Sequence, residues 1–129
     1  MTQTPHLNFG AEGEQLAAKF LIKKGYKIIG RNLKIGGVEI DILAKYGKTV
    51  ILVEVKTRHS EFFGAPELAV TDFKLKRLSR AAAFYARHQP NLPIRLDIIA
   101  ILKTGTGVGQ TRLRHYKGVG ETAELVSFD

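Results

Sequence analysis

Hydrophobic positions along the chain switch between two periods. From Phe9 to Lys24, Leu16, Ala17, Phe20 and Leu21 recur at helical spacing and predict a first helix. Asn8 is its expected N-cap and Gly25 its expected left-handed C′ residue. Glu12 and Glu14 come early and Lys23 and Lys24 come last, an order the helix dipole alone would explain. Tyr26 to Lys34 then reads as a strand with a bulge or bend at Gly30. After the turn Ile35-Gly36-Gly37, two β-branched runs, Val38 to Ala44 and Thr49 to Arg58, flank Lys45-Tyr46-Gly47-Lys48 and predict a hairpin. The loop from His59 to Pro66 carries Phe62 and Phe63, which suit covering the core or stacking on bases.

Asp72 to His88 predicts a second helix, capped by Thr71 or Asp72, with Leu75, Leu78, Ala82, Tyr85 and Ala86 facing inward. Ile94 to Lys103 and Thr111 to Tyr116 read as two more strands. Between them, the glycine-rich Thr104–Gly109 has no Gly-Lys-Ser/Thr and no following helix, so it is a hairpin turn and not a phosphate loop. Arg95 and Asp97 share a strand face, where a salt bridge is the simpler expectation than chemistry. The crossover helix allows one parallel pairing, and the opening strands form a meander. The expected fold is α/β, a single domain over 1–129 with a mixed central sheet flanked by helices. Its core spans about 9–103, and 104–129 forms a C-terminal hairpin and tail.

Composition narrows the function. A chain of 129 residues suits one core, and the absence of cysteine excludes disulfides, thiolate metal sites and cysteine nucleophiles. No run approaches the roughly 20 apolar residues of a membrane helix. The first residues carry no basic region followed by an apolar one, so a cytoplasmic protein with no membrane partner is expected. A formal charge of +8 favours polyanions, above all nucleic acid. Lys74, Lys76, Arg77, Arg80 and Arg87 place most of one helix's surface charge at a single sign, so Lys74, Arg77 and Arg80, together with Thr57 and Arg58, are candidate phosphate contacts.

The hairpin changes the picture most. Glu39, Asp41, Glu54 and Lys56 sit inside two of the most apolar segments, where unpaired charge is costly. Magnesium takes one or two carboxylates and keeps waters and phosphate oxygens. Asp41 and Glu54 could supply the carboxylates, the Val55 carbonyl a third oxygen, and Lys56 an ammonium beside the attacking water. The competing reading is a surface hairpin with cross-strand ion pairs.

The Asp41…Glu54-Val55-Lys56 pattern, following a helix with Glu14, resembles the PD-(D/E)xK nucleases, the restriction-endonuclease-like fold that includes archaeal Holliday-junction resolvases. The chain is more closely similar to the YraN-type family of poorly characterised bacterial proteins. The similarity lies in Gly10-Ala11-Glu12-Gly13-Glu14, Arg31-Asn32, Glu39-Ile40-Asp41, Val53-Glu54-Val55-Lys56-Thr57-Arg58, Phe63-Gly64, Lys74 with Arg77-Leu78, and Arg95 with Asp97. That resemblance implies an αβββαβ core, Asp41 and Glu54 as ligands to Mg2+ or Mn2+, Lys56 as catalytic lysine, and Glu14 and Glu39 as accessory acids. The YraN-type family itself supplies neither substrate nor activity; the Asp41, Glu54 and Lys56 pattern with the basic charge makes a Mg2+- or Mn2+-dependent nuclease acting on DNA, branched or damaged, the first function expected, with RNA as the other candidate and a homodimer as one arrangement. A non-catalytic nucleic-acid-binding module and a subunit of a DNA-processing assembly are the alternative functions. The family usually has a glycine directly before Glu-Ile-Asp, whereas here Val38 stands between Gly37 and Glu39.

Overall fold

The computed structural model describes residues 5–58, 72–103, 111–119 and 127–128. They form helix α1 (Pro5–Lys23), strands β1 (Lys27–Ile35), β2 (Val38–Tyr46) and β3 (Thr49–Arg58), helix α2 (Asp72–His88), and strands β4 (Ile94–Lys103), β5 (Thr111–Tyr116) and β6 (Ser127–Phe128). The strands lie in sequence order in one sheet. Neighbours pair antiparallel except β3 and β4, which run parallel from Val50↔Ile94 to Arg58↔Leu102. The α2 crossover supplies the long return that a parallel pair requires. The expected mixed α/β domain is therefore observed, and β6 extends it by a two-residue strand that the sequence did not signal.

Each helix covers one face. Ala17, Ala18 and Leu21 of α1 pack on Ile42, Ala44, Ile51, Val53, Ile99 and Ile101. Leu78 and Ala81 of α2 pack on the opposite face with Ile40, Leu43, Val50, Leu52, Leu96 and Ile98. Consecutive β3 residues thus go to alternate helices, as the pleat requires. Leu16, expected to face inward, is instead 37% exposed, and Ala18 takes its place in the core.

The ends of α1 differ in how far the sequence foretold them. Its C-terminus closes as expected: the Tyr26 amide donates to Leu21 at 2.9 Å, the Gly25 amide donates to Ile22 at 3.0 Å, and Gly25 takes φ +97°. Only a residue without Cβ enters that conformation at low cost. Its N-terminus begins at Pro5, so Asn8 lies inside the helix and is not the N-cap. No acidic residue falls in the first turn, so the dipole does not account for Glu14. In β1 the pairing register shifts between Ile28 and Gly30, the bulge expected there. Val38 is buried and pairs with Ile35 across the Gly36-Gly37 turn, both glycines at positive φ. Phe62, Phe63, the Thr71 cap and the Thr104–Gly109 turn lie outside the described residues.

Candidate metal centre

The site forms where β2 and β3 part. Their backbone pairing runs from Tyr46↔Thr49 to Ile42↔Val53 and goes no further among the described residues. Side-chain alternation along β2 breaks at the same point. Val38 and Ile40 pack on the α2 side, while Ile42 and Ala44 pack on the α1 side. Asp41 sits at the break, and its Oδ2 accepts the Val55 amide at 2.7 Å. A carboxylate thereby replaces the backbone carbonyl that a continued ladder would have offered.

Glu54 follows the normal alternation of β3 toward α2 and is 4% exposed. Two lysines approach the same Oε2, Lys74 of α2 at 3.3 Å and Lys56 of β3 at 3.8 Å. Burial first, and the neighbouring Asp41 charge second, push the Glu54 carboxyl up to about 7, against the pull of the two lysines. Burial also raises Asp41, although the Val55 amide, Lys74, a hydrogen bond from Glu54 and Lys56 all oppose it. The two acids thus stand within hydrogen-bonding reach of each other. Like charges held this close in a partly buried site favour a proton or a cation between them.

Glu14 reaches the same neighbourhood from α1. Burial and then the charge of Asp41 raise its pKa, while a hydrogen bond from Asn32 and the charge of Arg31 lower it. Arg31 Nη2 stands 4.0 Å from Glu14 and Arg31 Nη1 donates to Gln15 at 3.0 Å. Asn32 holds φ +53°, the only non-glycine residue described with positive φ. The pairs Arg31↔Ile42 and Leu33↔Ile40 flank it, so it lies opposite Asp41. Asparagine tolerates the left-handed region better than most residues, and such outliers concentrate at functional sites. Next to Glu14, Gly13 lies against β3, where an added Cβ would run into the Thr57 side chain.

The structure brings Asp41, Glu54, Lys56 and Lys74 together and holds Glu14 beside them. Glu39 is exposed and acts on the group only through a weak charge effect on Glu14. Thr57 is half-buried against α1, and Arg58 donates to the Thr57 carbonyl at 3.0 Å. Arg77 and Arg80 are exposed on α2, the Arg77 guanidinium 5.9 Å from the Phe73 ring centroid. The direct contact of Lys74 with Glu54 was not legible from the sequence, which marks it only as one of several helix cations. Asn32 likewise gave no signal beyond its place in a shared motif.

Among the described residues, no three His, Asp or Glu side chains cluster as an all-protein metal cage would need. The donor set is a pair of carboxylates, which fits Mg2+ or Mn2+ sharing its remaining positions with water and phosphate oxygen. At Val55 the contact observed is its amide to Asp41.

The sequence profile of the uncharacterised protein family UPF0102 matches residues 13–101. The chain belongs to this family. A UPF0102 protein of Phocaeicola vulgatus is 47% identical over 98 residues, 75% of this chain and 81% of the relative. One from Geobacter metallireducens is 45% identical over 100 residues, covering 76% and 82%. One from Beutenbergia cavernae is 42% identical over 113 residues, covering 86% and 94%. The UPF0102 match contains every residue of the carboxylate pair and its surroundings, from Gly13 to Lys74, and also Arg95 and Asp97. It stops before β5, which supplies His115 to a buried network around Asp97.

Proposed function

We propose that this protein is a metal-dependent nuclease of the restriction-endonuclease-like fold, related to the Holliday-junction resolvases, that hydrolyses phosphodiester bonds in DNA. The observation that supports it most is the Asp41–Glu54 pair, two neighbouring carboxyls, Glu54 buried and Asp41 partly so, with two lysines on Glu54. The element order αβββαβ agrees with that fold.

In this reading Asp41 and Glu54 hold Mg2+ or Mn2+, which would supply Lewis-acid polarisation of the phosphate and a more acidic water. Lys56 Nζ, an ammonium in its ion pair with Glu54, donates to the attacking water and orients it, and the water's proton leaves to bulk solvent. Lys74 Nζ offsets charge on the phosphate oxygens. Glu14, held by Asn32 and Arg31, orders solvent on the α1 side, and Arg77 and Arg80 bind the flanking phosphates from α2.

The test is purified protein with Mn2+ on single-stranded, duplex, flap and junction DNA, with EDTA and Glu54→Ala controls. Cutting that disappears in both controls is expected. Cutting that survives Glu54→Ala, or none on any substrate, defeats the reading. One observation favours a second reading, a nucleic-acid-binding module without turnover: Glu54 is already paired with both lysines, and no third acid joins the pair among the described residues. Salt-sensitive DNA or RNA binding without cleavage would select it.

A further inference from the structure

A second site lies on the other face of the sheet, at the opposite end of β3. Arg95 is register partner of Ile51, four residues before Val55 or about 13 Å along the strand, and it faces α1 rather than α2. There a cavity of about 340 Å3 opens among Phe20, Lys24, Tyr26, Tyr46, Arg95, His115 and Lys117. That volume is of the order that accommodates a small organic ligand, about 300 Å3 upward. None of the described lining residues is acidic.

The cavity is built rather than incidental. Asp97, fully buried, accepts Arg95 Nε and Nη2 at 2.8 Å each, His115 Nε2 lies 2.7 Å from it, and the Gly118 amide donates to it at 3.0 Å. Arg95 Nη2 also donates to the Tyr26 hydroxyl at 2.8 Å. These bonds fix the guanidinium and leave Nη1 without a partner among the described residues. Lys24 and Lys117 flank it, each exposed and each on a backbone held by neighbouring hydrogen bonds, the α1 C-terminal turn and Gly118. Tyr46 is 50% exposed, yet its ring is backed by Tyr26 at 4.7 Å between centroids and by Gly25. A rigid aromatic face beside three cations suits a ligand that carries both a flat ring and a phosphate.

We propose that this cavity binds a nucleotide, with Lys24, Arg95 and Lys117 on its phosphate and Tyr46 under its base. The nucleotide is either free or the terminal one of a strand. The proposal stands on the cavity alone and is independent of what happens at Asp41 and Glu54.

Titration of the full chain with dTMP, followed by amide NMR, tests it. Saturable shifts at Tyr46, Lys117 and Gly118 are expected. Inorganic phosphate should bind about tenfold more weakly, since it forgoes base stacking. Lys24→Glu and Tyr46→Ala, both at exposed positions, should each weaken dTMP binding about tenfold while the remaining amide spectrum stays in place. Competition by a 5′-phosphorylated oligothymidylate identifies a strand end as the source. Failure of that oligonucleotide to compete identifies the free nucleotide. Absence of saturable shifts at these residues, equal affinity for phosphate and dTMP, or indifference to both substitutions overturns the proposal.

Discussion

The Asp41 carboxylate accepts the Val55 amide at 2.7 Å where the β2–β3 ladder ends, so one residue both closes the backbone hydrogen bonding of the sheet and builds the acidic pair. These two roles separate by substitution. Asp41→Ala leaves the Val55 amide without an acceptor in a part-buried place and should cost about 1–3 kcal/mol in urea unfolding. Asp41→Asn keeps an acceptor and should recover most of that stability, but it should lose Mn2+ binding measured by calorimetry. Equal stability of the two variants would refute the structural role, and Mn2+ bound as tightly by Asp41→Asn would refute the metal role.

Glu54 makes apo stability depend on pH in a direction opposite to an ordinary ion-paired acid. Its carboxyl is raised from 4.5 to about 7, so between those values the folded state binds more protons than the unfolded chain. Its contribution is fully present below pH 4.5 and is lost as pH rises through about 7, to a total of about 3 kcal/mol at 1.36 kcal/mol per pH unit. In EDTA, stability should fall across this window, and Glu54→Gln should flatten the fall and be the more stable protein at pH 8. Metal requires the ionised pair, so Mn2+ should stabilise the wild type more at pH 8 than at pH 6. A wild-type profile that parallels Glu54→Gln at every pH would refute this account.

Gly13 sets how closely α1 approaches β3. A Cβ there would meet the Thr57 side chain, so either that side chain or the helix must shift to admit it. Gly13→Val should destabilise the protein by about 1–3 kcal/mol, the range for overpacking. Combining it with Thr57→Ser, which removes the Thr57 methyl but keeps the hydroxyl the Cβ meets, should recover only part of that loss. Combining it with Thr57→Gly should recover more. Urea midpoints of the set decide the matter. Identical midpoints for Gly13→Val and wild type would mean that the contact does not limit the packing.

Periodicity and turn chemistry carried most of the fold. Strands β3, β4 and β5 and helix α2 begin and end where alternation, β-branching and the Gln89–Pro93 break place them. What escaped depends on contacts between distant segments. The apolar stripe of α1 marks a face but not its first turn, so Asn8 reads as a cap although the helix starts at Pro5. Asp41 and Glu54 were legible because charge inside apolar strands is costly. Lys74 and Asn32 were not, since only the packing of α2 and the β1 register bring them to the acids. His115 lies beside Asp97 because β5 pairs Ile99↔His115, a register that turns of unknown length hide from sequence reading.

Arg95 and Asp97 are expected as a simple pair, and the salt bridge is present, bidentate at 2.8 Å. It is also the centre of a buried cluster with His115, Gly118 and Tyr26. Burial alone would raise the Asp97 carboxyl, but hydrogen bonds from His115 and Arg95, the Arg95 charge and the Gly118 amide outweigh it and hold the group below its usual value. The stability it contributes is therefore present above the ordinary carboxylate pKa of 3.8 and is lost as pH falls through the lower folded value. Asp97→Asn removes that charge while leaving Arg95 half-buried, so it should cost about 3–5 kcal/mol, the range for breaking a buried pair from one side. It should also abolish the acid-side fall in stability that Asp97 produces. Urea unfolding of both proteins from pH 7 down to pH 3 measures the two effects together. An Asp97→Asn variant as stable as wild type at pH 7 would show that the cluster positions the cavity without holding the fold.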